Sequence, residues 1–131
     1  MSDPLDLVQS WKVKSEHDLK ACRQLLNVDD PLVEIIAFHA QQAVEKALKG
    51  SLISRKCFNF PKTHDLGRLL DLAEEFESEL SNLDAIIELT PYAVEIRYPE
   101  SLDWSNDIDA NAYVVLAEQS CKKIWSYMAV V

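Results

Sequence analysis

The sequence predicts an all-α protein folded as an up-and-down bundle. Three observations carry that expectation. Apolar residues recur at spacings of three and four along nearly the whole chain. No alternating apolar and polar run is long enough for a strand. Only two glycines and five prolines are present, so connections are expected to be short, and short connections place consecutive helices antiparallel.

The first helix is read from Leu7, Val8, Trp11, Ser15, Leu19, Cys22 and Leu26, a one-faced stripe that stops before Asp29, Asp30 and Pro31. Pro31 suits the first turn of a second helix, which runs to about Ser54. The segment CFNFPK, with two aromatics and Pro61, reads as a loop. Thr63 is the expected N-cap of a third helix, with Asp65 in the first turn, where the helix dipole favours an acid. Leu66, Leu69, Leu70, Ala73 and Phe76 form its apolar stripe. A fourth helix is expected from near Ser81, through Leu83, Ile86, Ile87 and Leu89, past Pro91 to about Arg97, because Pro99 pushes Tyr98 out of the α region. Ala110, Val114, Ala117, Cys121, Ile124 and Met128 define a C-terminal helix.

The chain reads as a single domain over residues 1–131, with no repeat, linker or low-complexity tract to divide it. No apolar run approaches a membrane span, and the N-terminus MSDPLDLVQS is acidic where a secretory signal would be basic, so a cytoplasmic location is expected. Cys22, Cys57 and Cys121 are odd in number and widely spaced, giving no basis for a disulfide framework or a zinc site; no metal and no cofactor is expected. The net charge of -9 argues against a general nucleic-acid coat. That average hides an asymmetry, because residues 46–68 carry +5 and the remainder -14. A local cationic surface on an acidic body suits the capture of a small anion.

The second helix also carries an unusual load of polar side chains. Projected on a helical wheel, Val33, Ile36, Ala37, Ala40, Ala43, Val44, Ala47 and Leu48 fill one half as a small-residue core face. His39, Gln42, Lys46 and Lys49 form a ridge beside it. Phe38, Ile35 and Ile53 fall on the same side, so the ridge is expected to border a second packed surface. The simplest reading is a solvated helix edge on which Glu45 pairs with Lys49 at i, i+4.

Three stretches carry a resemblance. F-H-A-Q-Q-A-V-E-K-A-L-K (Phe38 to Lys49), K-T-H-D-L (Lys62 to Leu66) and I-R-Y-P (Ile96 to Pro99), in this order, resemble the HEPN domain family over most of the chain. The resemblance implies an up-and-down four-helix bundle with an additional short helix, often a homodimer, frequently encoded beside a minimal nucleotidyltransferase and proposed to hold a nucleotide or polyanion. Carried over by position, the family's polar residues fall on His39, Gln42, Glu45 and Lys46, on Thr63, His64 and Asp65, and on Arg97 and Tyr98.

Many relatives are ribonuclease toxins whose motif is an arginine, four to six residues, then a histidine. From Arg97 that histidine would stand where Leu102, Asp103 or Trp104 stands, and no histidine follows His64. The arginine of the motif is present without its acid-base partner. The sequence therefore points to a non-catalytic nucleotide- or polyanion-binding accessory module. Its expected anion-binding residues are His39, Gln42, Lys46, Lys49, Lys62, Thr63, His64, Arg97 and Tyr98, with RNA a less favoured ligand and no membrane partner. The alternatives are a toxin with a displaced histidine and a purely structural dimerisation domain.

Overall fold

The computed structural model describes residues 4–93 and 109–128, and every element among them is helical. Helix α1 spans Pro4–Leu26, α2 Val33–Ser54, α3 Leu66–Glu74 and α4 Ala110–Ser126, with a 3-10 segment at Ser78–Ala93 between α3 and α4. None of the described helices is long and apolar enough to cross a membrane.

Helix α2 is the axis of the molecule and packs against all four other elements. Its small-residue face explains how. Ile36, Ala37, Ala40, Ala43, Val44, Ala47 and Leu48 are fully buried, and the missing side-chain bulk lets α1 come close enough for the Ser15 hydroxyl to donate to the Ala43 carbonyl at 2.7 Å. Gly50 extends the same contact. A Cβ there would stand 3.0 Å from Cβ of Trp11 and 3.4 Å from Met128, so glycine permits the approach of both neighbouring helices. Helix α4 closes the core with Val114, Ala117, Cys121 and Ile124, all fully buried, as its stripe predicts.

Helix α2 ends in a Schellman motif. Lys56 takes a left-handed φ of 62°, its N–H bonds the Ile53 carbonyl at 2.9 Å, and the Cys57 N–H bonds the Leu52 carbonyl at 2.9 Å. Helix α3 starts later than the Thr63 cap predicts. The cap is Asp65, whose carboxylate accepts from the Arg68 N–H at 3.3 Å. Thr63 instead accepts from the Asp65 N–H at 3.0 Å, a local turn that competes with capping, and Thr90 takes the Leu66 N–H at 3.1 Å. Phe76, read as part of the α3 stripe, lies beyond its end and is exposed.

The expected fourth α-helix is a 3-10 segment over residues 78–93, with a kink at Leu83 and Pro91 inside it. Its core residues give the reason. Leu80, Leu83, Ile86, Leu89 and Tyr92 recur at intervals of three, which a helix of three residues per turn stacks in one line on the core. The predicted continuation to Arg97, together with Tyr98, lies outside the described residues.

Candidate functional site

The polar ridge is organised by two buried carboxylates. Asp18, on α1, sits at its α1 edge with a side chain 10% exposed. One of its oxygens meets Nδ1 of His39 at 2.9 Å, and the other accepts from Nζ of Lys46 at 2.6 Å. Glu45, on α2 itself, has a side chain 5% exposed. Its Oε2 accepts from Nζ of Lys49 at 3.0 Å, while its Oε1 meets Nδ1 of His64 at 2.7 Å and accepts from the Gln41 amide at 3.1 Å.

Gln41 locks this second cluster to the chain that follows α2. It is fully buried, its Nε2 also donates to the His64 carbonyl at 3.0 Å, and its Oε1 accepts from Gln42 Nε2 at 2.7 Å. The loop before α3 is thereby pinned to the middle of α2, with the His64 ring 54% exposed at the surface. Both histidines engage a carboxylate through Nδ1, which leaves Nε2 as the ring's outward edge. Lys49 lies 5.9 Å from the centroid of Trp11, stacking its charge on an α1 aromatic.

Burial alone would raise the Glu45 carboxyl, but hydrogen bonds from Gln41, His64 and Lys49, with the Lys49 charge, hold it below its ordinary value. Two ammonium groups thus face two carboxylates, so with neutral imidazoles the network is formally uncharged. The Glu45–Lys49 pair anticipated for a solvated edge does form, but inside the protein, where a charge left without its partner is costly.

The structure brings five of the sequence-predicted residues into this assembly: His39, Gln42, Lys46, Lys49 and His64. Thr63 adjoins it through the turn that precedes Asp65. Lys62 is exposed at the edge of the loop. Arg97 and Tyr98 lie outside the described residues. Sequence reasoning missed Asp18 and Gln41. Asp18 is separated by 21 and 28 residues from the two side chains it joins, and no local spacing announces it. Gln41 could have been noticed as the polar residue that a helical wheel sets into the α2 core.

Two thiols lie in the apolar core. Burial pushes Cys121 up to about 12 and Cys22 likewise to about 12, the nearby Asp18 charge adding to the effect. Among the described residues no group of three or more His, Cys, Asp and Glu side chains is placed to hold a metal ion.

With this helical fold and the FHAQQAVEKALK and KTHDL segments locked together by Gln41 and Glu45, the chain belongs to the HEPN domain family, whose pattern it matches over residues 8–128. No curated protein and no solved structure matches it.

Proposed function

We propose that this HEPN chain is a non-catalytic module that binds a nucleotide or other polyanion and acts, as a homodimer, in the role of accessory partner to a minimal nucleotidyltransferase. The observation that supports this reading is the pair of buried carboxylates. Asp18 and Glu45 hold His39, Lys46, Lys49 and His64 in fixed positions, at a desolvation cost that a plain core would not carry. Side chains already ordered before a ligand arrives lose little entropy when it binds. Lys46 keeps N–H groups beyond the one given to Asp18, and each imidazole, when protonated, donates from Nε2 as well as from Nδ1. The HEPN assignment supplies the rest of the reading, since the family frequently stands beside nucleotidyltransferases.

Calorimetric titration of nucleotides and polyphosphates, at low and high salt, on wild type and on Lys46→Ala and Arg97→Ala, tests this. Binding should weaken as salt rises and fall in both variants. If no nucleotide or polyphosphate binds, or if both substitutions are without effect, the network is structural and the chain reads as a dimerisation domain.

One observation favours a second reading. His64 presents a half-exposed imidazole whose Nδ1 is held by a buried glutamate, the arrangement that orients a general base. A ribonuclease with this displaced histidine would cleave RNA in a manner lost on His64→Ala and on Arg97→Ala. Cleavage by homogeneous protein that neither substitution diminishes would rule it out.

A further inference from the structure

An open groove of about 430 Å³ lies on the α1 side of the network, and Lys46 is the one motif residue among those that line it. Leu7, Ser10, Trp11 and Lys14 line it from α1, and Lys46 lines it from α2. The four α1 residues stand at i, i+3, i+4 and i+7, a single helix face about 10 Å long at 1.5 Å per residue. Apolar and cationic groups are separated along that face. Leu7 and Trp11 supply apolar surface towards the N-terminal end, and Lys14 stands one turn further on, in the groove that Lys46 also lines.

We infer that this groove is the ligand subsite and that it takes a nucleoside monophosphate, with the base against Leu7 and Trp11 and the phosphate between Lys14 and Lys46. The inference rests on the anion-binding reading above and names the ligand class and its location. Charge supports it. Asp18 already answers Lys46, but Lys14 is exposed and makes no ion pair among the described residues, so the groove keeps one cation in excess. Shape supports it as well. The volume lies within the range of small-ligand sites, and the length of the face suits one nucleotide. Trp11 is held in place by the close approach at Gly50 and by the Lys49 ammonium at its ring, while part of its surface stays accessible. A fixed aromatic beside a phosphate-binding cation discriminates a nucleotide from a bare phosphate, because base contact adds to the anion contact.

The test is calorimetry with adenosine monophosphate, ribose 5-phosphate and inorganic phosphate on wild type, Lys14→Gln, Lys62→Gln and Lys122→Gln. Lys14 and Lys122 are exposed, so neither substitution threatens folding, and Lys122 on α4 is the control. Adenosine monophosphate should bind about tenfold tighter than ribose 5-phosphate, reflecting the base contact. Lys14→Gln should weaken it by about tenfold, the loss of one phosphate contact, while Lys122→Gln leaves it unchanged. Equal affinity for adenosine monophosphate and ribose 5-phosphate overturns the subsite. So does nucleotide binding that follows Lys62→Gln and ignores Lys14→Gln, although the binding function itself would then stand. Absence of binding by all three probes removes the subsite, and a failed polyphosphate titration would remove the binding function with it.

Discussion

Glu45 shows how much one side chain can organise. Its carboxylate ties α2 to the loop before α3 through His64, answers Lys49 one turn along, and anchors the Gln41 amide. Glu45→Gln would leave the Lys49 ammonium nearly buried without its counter-ion, and we expect it to cost about 3 kcal/mol at neutral pH. The pH dependence has a definite sign. Because the folded protein holds this carboxyl below its ordinary 4.5, its contribution is present above that value and is lost as pH falls through the lowered one. Urea unfolding of wild type and variant at a series of pH values should therefore show two stabilities far apart at pH 7 and converging below about 4.5. A gap that stays constant into acid would show that the charge is not what matters. The cysteines make a separate prediction. Cys22 and Cys121 are buried with thiols raised to about 12, whereas Cys57 is partly exposed in the loop after α2. Iodoacetamide at pH 8 should alkylate the native protein at Cys57 first and spare the other two until it unfolds, as peptide mass mapping would reveal.

At the scale of elements, α1, α2 and α4 were legible because their stripes run for several turns at the helical period. The stretch after α3 departs from the expected α-helix. Leu83, Ile86, Ile87 and Leu89 suggest one, but Leu80 and Tyr92 complete with Leu83, Ile86 and Leu89 a run at intervals of three that marks a 3-10 helix. The third helix starts later than the sequence predicts because Thr63 and Asp65 are both cap-forming types two residues apart, and the later one is favoured by the Thr63 turn with the Asp65 N–H and by the bond from Leu66 to Thr90, 24 residues away. The candidate site was half legible for a comparable reason. The cations on α2 follow from the sequence, but the acids that face them depend on tertiary packing: Asp18 is one of 22 acidic residues, and nothing local separates it from those in water. The end of α2 offers a test of local rules. Lys56 occupies a left-handed position that glycine adopts without strain, so Lys56→Gly should raise stability by about 1 kcal/mol. A fall in the midpoint of chemical unfolding would mean that the Lys56 side chain contributes something the backbone geometry does not reveal.

For the whole molecule, the distribution of charge differs from what a count along the chain suggests. Of the six cations in residues 46–68, Lys46 and Lys49 face buried acids and Arg55 donates to the Tyr127 carbonyl at 3.0 Å, while Lys56, Lys62 and Arg68 remain exposed. Apolar surface is also left over. Val28, Leu32 and Ile35 follow one another across the turn between α1 and α2 and are all exposed. Covering such residues is what a symmetric homodimer achieves most simply. Light scattering at micromolar concentration should give twice the chain mass, shifting towards the monomer in a Leu32→Lys, Ile35→Lys double variant. A wild-type protein that runs as a clean monomer would remove the homodimer from the proposed function.

The 3-10 segment also affects how the molecule opens. Among the described elements it packs against α3, α2 and α4 but not α1, and α3 itself touches only α2 and the 3-10 segment. The hydrogen bonds of a 3-10 helix are poorer in geometry than those of an α-helix, so the stretch from Leu66 to Ala93 is the natural unit for partial unfolding while α1, α2 and α4 stay closed. In native-state deuterium exchange its amides should form one group that exchanges well before those of α2. When that group opens, the Leu66 to Thr90 bond is lost, and the chain just after His64, whose ring meets Glu45, is no longer anchored at its α3 end. A ligand that engages His64 would then slow exchange across the whole Leu66–Ala93 unit, including amides it never touches.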